Sequence, residues 1–166
     1  MKRLLLIGAL ALASAVMACG QAPKVDRIEI IESGIYRTEI AKTKQASGAV
    51  TGTTDELANV KLVSSTTTIP ARIGTRFGIR YRVVGSPNRA SVKMTAIIRF
   101  PREGLLNPKT GKRIFRDVTT WTRNMGAETY NGFGFDEEWE LVPGTWIYEI
   151  WYGDRKLAEQ SFTVVK

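Results

Sequence analysis

The chain has 166 residues, of which 43% are hydrophobic and 24% are charged, proportions typical of one globular domain that exclude a disordered protein. The formal net charge of +8 favours contact with anionic lipid or glycan surfaces, although solubility explains a charge of this size equally well. With no histidine and a single cysteine, the sequence excludes the commonest general base near neutral pH, an internal disulfide and a cysteine-rich metal cage.

Residues 1–18 have the pattern of a secretory signal peptide. Lys2 and Arg3 form a cationic start, and the apolar run that follows is shorter than the roughly 20 residues needed to span a bilayer as a helix. The run ends in Val16-Met17-Ala18-Cys19-Gly20, which resembles the lipobox of bacterial lipoproteins. By that resemblance, a lipoprotein signal peptidase cleaves before Cys19, and this cysteine becomes the lipid attachment site.

A lipid on Cys19 would anchor the protein durably, because each buried methylene contributes about 0.8 kcal/mol. The alternative is a plain small-residue cleavage site that leaves a soluble periplasmic protein with a free Cys19. Gly20 is not the Asp that retains enteric lipoproteins at the inner membrane, so the resemblance implies the outer membrane, facing the periplasm. We therefore expect a signal-peptide helix at 1–18, a lipidated tether at 19–26 and one domain at 27–166.

Beyond the tether, the hydrophobic pattern has the period of two that is typical of β-strands. Residues 27–40 predict a first strand with a bulge or bend at Gly34. Residues 42–56 are polar and without periodicity, which predicts a mobile loop. Residues 59–69 are rich in threonine and β-branched side chains, which predicts a strand that Pro70 ends.

The middle of the chain predicts a hairpin and one further strand. Residues 75–84 alternate, with one face apolar and the other carrying the arginines, namely Arg76, Arg80 and Arg82. A turn at 85–88 leads to a returning strand at 90–100. Residues 101–112 are rich in proline and glycine and predict a long loop, after which 113–123 predict a strand.

The last part of the chain continues this pattern. Residues 133–141 and 145–152 alternate on either side of a turn, and a hairpin turn at 153–155 precedes a final strand at 157–165. No helix is expected beyond the signal peptide. Seven or eight short strands separated by turns predict an all-β fold, a single antiparallel β-sandwich of the immunoglobulin-like kind, with a small barrel as the alternative.

Two stretches carry a resemblance to known modules. The closing residues 141–164 resemble the last hairpin of many bacterial immunoglobulin-like modules. More narrowly, a set of short motifs resembles a bacterial family catalogued as a domain of unknown function: Ile69-Pro70-Ala71-Arg72, Gly74-Thr75-Arg76-Phe77-Gly78, Asn107-Pro108-Lys109-Thr110-Gly111 and Phe135-Asp136-Glu137-Glu138-Trp139. This resemblance covers about residue 35 to the end, and it implies no catalytic residues because the family has no assigned activity.

Asp136, Glu137, Glu138 and Glu140 form the densest acidic run in the chain. It could be a Ca²⁺ site or a pair of catalytic carboxylates. On a strand, however, Asp136, Glu138 and Glu140 share one face, where we expect ion pairs with the arginines of the neighbouring strand and no metal. Glu137 would then fall on the apolar face, at the sandwich edge or beside a buried arginine.

The aromatic residues are interpreted mainly as core, although a glycan-stacking platform is the alternative for the tryptophans. The predicted core consists of Phe77, Ile79, Tyr81, Trp139, Trp146, Tyr148 and Phe162. Trp151 is out of phase with its strand and is a candidate ligand or partner contact. Leu105 and Leu106 are further candidates, because they stand among turn residues in the 101–112 loop; the alternative is that the loop folds these side chains back onto the end of the sandwich.

The sequence favours a non-enzymatic envelope lipoprotein whose sandwich is a binding or assembly module, since no histidine, reactive cysteine or recognisable catalytic motif is present. The expected partners are the membrane, through Cys19, and an envelope protein or anionic glycan. No cofactor or metal is expected. Nucleic acid is not an expected partner either, because the basic residues are scattered and the chain is exported. The alternative is a carboxylate-dependent hydrolase of cell-wall glycan, whose carboxyl groups among Asp136, Glu137 and Glu138 would converge on a cleft.

Overall fold

Two sheets carry the alternation seen in the sequence. The computed structural model describes residues 22–166, so the predictions for the signal peptide and Cys19 lie outside the described residues. The strands are β1 (Lys24–Gln45), β2 (Thr53–Ser65), β3 (Thr68–Pro70), β4 (Arg76–Ser86), β5 (Ser91–Arg99), β6 (Leu105–Leu106), β7 (Arg113–Ile114), β8 (Arg116–Asn124), β9 (Glu128–Gly134), β10 (Gly144–Tyr152) and β11 (Arg155–Val165). Within residues 22–166, no helix is long and apolar enough to cross a membrane.

Sheet A has the strand order β2-β1-β4-β9, and sheet B has the order β3-β11-β10-β5-β8. All pairings in the two sheets are antiparallel except that of β3 with β11, which is parallel. The remaining strands form a small separate hairpin, in which β6 lies within the predicted 101–112 loop and β7 lies at the start of the predicted 113–123 strand. The predicted β-sandwich is therefore confirmed, with β8 and β9 as edge strands that follow one another in the chain.

The core lies where the inner faces of the two sheets meet. Trp146 of β10 packs edge-on or tilted against four phenylalanine rings at centroid distances of 4.8 to 5.7 Å, namely Phe77, Phe100, Phe133 and Phe135. The Tyr148 hydroxyl donates a hydrogen bond across the sandwich to the Phe77 carbonyl, at 3.2 Å. All predicted core residues are fully buried except Trp139, which is partly buried against the same cluster.

The predicted loop at 42–56 was wrong, because β1 and β2 form one long hairpin across it. The pairing of β1 with β4 ends at Tyr36, whereas its pairing with β2 continues to Gln45 and Thr53. We call residues 37–61 the arm and residues 46–52 its tip. Both faces of the arm are largely polar, so it lacks the hydrophobic alternation by which strands are recognised.

Two boundaries also differ from expectation near the start of the domain. The predicted tether at 19–26 is too long, since β1 begins at Lys24 and Val25 is already buried in the core. The bulge expected near Gly34 is present, as the register between β1 and β2 shifts between Ile35 and Tyr36. A Cβ atom on Gly34 would stand 2.0 Å from the Ser64 carbonyl oxygen, which explains why glycine occupies this position.

The predicted strand at 133–141 was also wrong beyond its first residues. Strand β9 ends at Gly134, and Glu138–Glu140 form a 3₁₀ turn. The turn is fixed by two hydrogen bonds: the Glu140 N–H donates to the Glu137 carbonyl at 3.1 Å, and the Glu140 side chain accepts the Glu137 N–H at 3.0 Å. Asp136, Glu138 and Glu140 therefore do not share one face of a strand.

Candidate functional site

A cleft of about 950 Å³ opens between the edge strands β8 and β9, beneath the arm. Its walls are the inner faces of β8 and β9 and the outer face of sheet A around Arg76 and Arg80, and residues of β2 cover it. This volume lies within the range of ligand-binding pockets, about 300 to 1,000 Å³. The cleft is thus large enough to hold a ligand.

The cleft is polar because the inner face of β8 is polar. Strand β8 pairs with β5 so that Ala96 lies opposite Thr119 and Ile98 lies opposite Asp117. Ala96 and Ile98 belong to the buried core, so the same face of β8 carries Asp117, Thr119, Trp121 and Arg123. The inner face of a sandwich strand is ordinarily apolar. Here each of the four side chains has a hydrogen-bonding group, so a polar cavity rather than apolar core lies against this face of β8.

The tip of the arm is fastened to β8 by two hydrogen bonds. The Val50 N–H donates to Asp117 Oδ1 at 2.7 Å, and the Val118 N–H donates to the Gly48 carbonyl at 3.0 Å. Val50 is itself buried in the hydrophobic core. These contacts hold the arm across the open edge of the sandwich and so define the roof of the cleft.

Asp117 is only 8% exposed, and its charge is correspondingly costly. Burial raises the pKa of Asp117 from 3.8 to about 6, with the hydrogen bond from Val50 opposing part of the rise. The carboxyl is thus poised to exchange a proton in a weakly acidic range.

Two further polar groups in the cleft are buried without a hydrogen-bond partner among residues 22–166. They are Nε of Arg123 and Oδ1 of Asn131, whose residue is 8% exposed. The Arg123 guanidinium is held 5.0 Å from the centroid of the Trp121 ring. Buried polar atoms in proteins nearly always have partners. A free donor and a free acceptor in one cavity fit a ligand that supplies both an acceptor and a donor.

The arginines of β4 make ion pairs, but mostly not with the acidic run. Arg80 bonds Glu32 of β1 at 2.7 Å, and Arg82 bonds Glu128 of β9 at 2.8 Å. Arg76 bonds Asp136 at 3.1 Å, which is the pairing that the sequence predicted. The other expected pairs between these arginines and the acidic run, such as Arg80 with Glu138, were wrong, because β9 ends at Gly134, before the acidic run begins.

The acidic run has a structural role in its buried part. Glu140 is 1% exposed and accepts the N–H groups of Asp136 and Glu137 at 2.7 and 3.0 Å. Burial raises its pKa, against the effect of these two hydrogen bonds. Glu137 was expected on the apolar face, but its side chain is exposed and pairs with Lys109 at 3.3 Å. Among residues 22–166, no group of three or more His, Cys, Asp or Glu is arranged to hold a metal ion.

The predicted contact residues lie apart from the cleft. Trp151 is half-buried on the outer face of sheet B, where its indole N–H donates to Glu149 Oε2 at 2.9 Å, and its role as a partner contact stays a prediction. Leu106 is 48% exposed. The prediction for Leu105 was wrong, because this side chain is fully buried and packs into the core.

Sequence reasoning missed the residues that line the cleft, above all Asp117, Arg123 and Asn131. The available signal was the strand predicted at 113–123, in which neither set of alternate residues is apolar. A strand buried in a sandwich has one apolar face. Two mixed faces therefore indicate an edge strand beside a polar cavity.

Comparisons with known proteins agree with the fold. The sequence matches the family described as Domain of unknown function (DUF3859) over residues 24–164. Among solved structures, it is similar to an immunoglobulin-like protein from Pseudomonas aeruginosa, with 26% identity, a TM-score of 0.57 and coverage of 89% of this chain and 99% of that chain. The predicted immunoglobulin-like architecture is thereby confirmed.

The chain is only weakly similar to a second solved structure. This structure is of an alkylpurine DNA glycosylase from Pseudomonas fluorescens bound to DNA with an abasic-site analogue, with 13% identity over 60% of this chain and 28% of that chain. Its TM-score of 0.38 carries no argument. A search of the curated proteins gave no match.

Proposed function

We propose a function for this chain, which belongs to the DUF3859 family, a domain of unknown function whose match spans residues 24–164. The protein is a non-enzymatic lipoprotein of the bacterial cell envelope, and its immunoglobulin-like sandwich binds a partner in the cleft beneath the arm. The partner is an envelope protein or a glycan that meets the polar inner face of β8.

The proposed location rests on the first residues of the sequence. Val16-Met17-Ala18-Cys19-Gly20 resembles a lipobox, and the apolar run before it suits a signal peptide. A lipid on Cys19 would place the domain at the outer membrane, facing the periplasm. Cys19→Ser should abolish the incorporation of labelled palmitate and release the protein into the periplasmic fraction. A Cys19→Ser protein that keeps both its label and its membrane attachment would contradict this location.

The proposed binding role rests on the unpartnered donor and acceptor in the cleft. Arg123 Nε and Asn131 Oδ1 are buried in a cavity of about 950 Å³ that is large enough for a ligand. A core built only for stability would fill this space with apolar side chains, because each unpaired buried polar group costs about 1–3 kcal/mol. A bound partner would satisfy both groups.

Photo-crosslinking in living cells tests the binding role. A benzophenone amino acid replaces Thr119 inside the cleft or, as the matched control, Thr163, which is exposed on β11 away from the cleft. We expect a discrete adduct from position 119 that Asn131→Ala weakens, and none from position 163. The absence of an adduct at 119, or equal adducts at both positions, would contradict a binding site in the cleft.

The alternative, a hydrolase of cell-wall glycan, is favoured by one observation. Asp117 lies in the cleft with a pKa of about 6, which suits a general acid near neutral pH. The acidic run first considered for this role is tied to Arg76, Lys109 and backbone N–H groups instead. If the purified protein releases reducing sugar ends from isolated cell walls and Asp117→Asn does not, the protein is an enzyme. If neither protein releases sugar, binding remains the better explanation.

A further inference from the structure

The edge of β8 that does not pair with β5 makes one main-chain hydrogen bond to the tip of the arm. The Val118 N–H points away from β5 and donates to the Gly48 carbonyl at 3.0 Å. Because strand residues alternate in direction and the β5–β8 register is regular, the N–H groups of Thr120 and Thr122 point the same way. In the described part of the chain, these two N–H groups have no main-chain partner. The tip therefore occupies one position, Val118, of an edge that continues beyond it.

A groove of about 710 Å³ runs along this open edge. One wall is β8 from Val118 to Arg123, and the other wall includes Lys44 and Glu56 of the arm, which form an ion pair with each other. Open strand edges are usually blocked by lysine, proline or a bulge, because they pair readily with other chains. Strand β8 has no lysine, proline or bulge to block the N–H groups of Thr120 and Thr122, although the Thr122 carbonyl accepts a hydrogen bond from Arg123, and the arm stands beside this edge as a second wall.

We propose that this groove takes an extended peptide segment of another envelope protein, which adds to β8 as a further strand opposite Thr120 and Thr122. This inference rests on the proposed binding function and names its partner. Main-chain bonds to successive N–H groups, about 6.8 Å apart along a strand, suit a peptide rather than a sugar chain.

Arg123 gives this site a preference for particular side chains. Its Nη1 donates to the Thr122 carbonyl at 3.3 Å, which places the guanidinium at the edge, while its buried Nε has no partner. Alternate side chains of an added strand point inward beside β8. The inward side chain next to Arg123 should carry an acceptor, a carboxylate in the best case, since charged pairs make the stronger hydrogen bonds.

The test starts from the full mature lipoprotein in detergent micelles and a phage-displayed library of random heptapeptides. A selected peptide is synthesised in two N-methylated series, each blocking alternate main-chain N–H groups. We expect one series to lose at least about tenfold in affinity and the other to bind like the parent, because alternate N–H groups of a strand face opposite sides. Equal binding by both series, or no selected peptide, would overturn strand addition.

Two protein variants locate the added strand. Thr120→Pro removes the N–H from the open edge without breaking a bond to β5, whereas Thr120→Val keeps it. We expect Thr120→Pro to weaken the peptide at least about tenfold and Thr120→Val to leave it unchanged. Hydrogen exchange of the Thr120 and Thr122 amides in the wild-type protein should slow when peptide is added. This measurement tests the proposal even if Thr120→Pro does not fold. Unchanged exchange at both amides would overturn the proposal.

The outcomes separate this inference from the proposed function. If position 119 still crosslinks in cells while no heptapeptide binds, the cleft has a partner but strand addition is wrong. If an isolated cell-wall oligosaccharide gives the slowed exchange instead, the partner is a glycan. If neither crosslink nor peptide binding is found, the proposed function fails as well.

Discussion

Asp117→Asn should stabilise the protein above about pH 6, although it removes a charged group that accepts a hydrogen bond. The carboxyl is almost fully buried, and its one hydrogen bond comes from the Val50 N–H at 2.7 Å. An asparagine keeps an oxygen for that N–H and carries no charge to desolvate. The tip of the arm therefore stays fastened while the cost of the buried charge disappears.

The size of the effect follows from the pKa of Asp117. Folding raises this pKa from 3.8 to about 6, and each unit corresponds to about 1.4 kcal/mol, which gives about 3 kcal/mol at most. Well below pH 3.8 both states are protonated and the wild type bears no penalty. Between about pH 4 and pH 6 only the unfolded state ionises, so the free energy of unfolding falls as pH rises. Above about pH 6 the loss is complete.

Urea melts of the two proteins between about pH 4 and pH 8 measure this effect. Other carboxyls titrate in both proteins, so the quantity to follow is the difference in free energy of unfolding between variant and wild type. It should be near zero at about pH 4 and reach about 2–3 kcal/mol in favour of the variant at pH 8. A variant that is less stable at pH 8, or a difference that does not change with pH, would refute this account of Asp117.

Three further sets of variants test the packing and the ion pairs. Trp146→Ala should lower the free energy of unfolding by about 3–5 kcal/mol, because the ring is fully buried among four phenylalanines, and a loss below about 1 kcal/mol in urea melts would contradict that packing. A double-mutant cycle on Arg80 and Glu32 should give a salt-sensitive coupling of about 1 kcal/mol. A cycle on Arg80 and Glu138 should give no coupling. The reverse result would support the strand predicted from sequence at 133–141. Arg99→Gln should cost about 1 kcal/mol at neutral pH, and this cost should be lost as the pH falls through the lowered pKa of Glu149. Burial acts to raise the pKa of Glu149, but the hydrogen bonds from Arg99 and Trp151 outweigh burial and lower this pKa. The ion pair of Arg99 with Glu149 therefore stabilises the fold only while Glu149 is ionised. If Arg99→Gln remained as destabilising in acid as at neutral pH, this account would be contradicted.

The sandwich could be predicted because its central strands carry the strongest alternation. In β4 and β10, every second residue is large and apolar, and those residues meet in the core, as Phe77 and Tyr148 do. The arm could not be predicted in the same way. Its strands are held by pairing with each other and by two hydrogen bonds at the tip, so their polar residues show no period.

The cleft escaped prediction for a different reason. Whether Asp117 and Arg123 face the core or the solvent depends on the register of β8 against β5, which is a long-range pairing. From sequence alone, a polar face of a strand is assigned to solvent. The prediction for the acidic run failed likewise, because the Glu140 side chain folds back to accept the N–H groups of Asp136 and Glu137, whereas alternation alone places Glu140 on an exposed strand face.

The polar edge of this sandwich carries a cost that the fold itself does not require. A buried carboxyl, an unpaired guanidinium nitrogen and an unpaired amide oxygen all line one cavity, at the strand whose outer edge is also open. Apolar residues at Asp117, Arg123 and Asn131 would close the space and add stability, since each such group opposes folding by about 1–3 kcal/mol. Sequences that depart from the stable choice at several adjoining positions do so where a function demands it. Bonds to Asp117 and Val118 fasten the arm beside this same edge, so the cavity and the open edge adjoin, as the proposed binding of a partner requires.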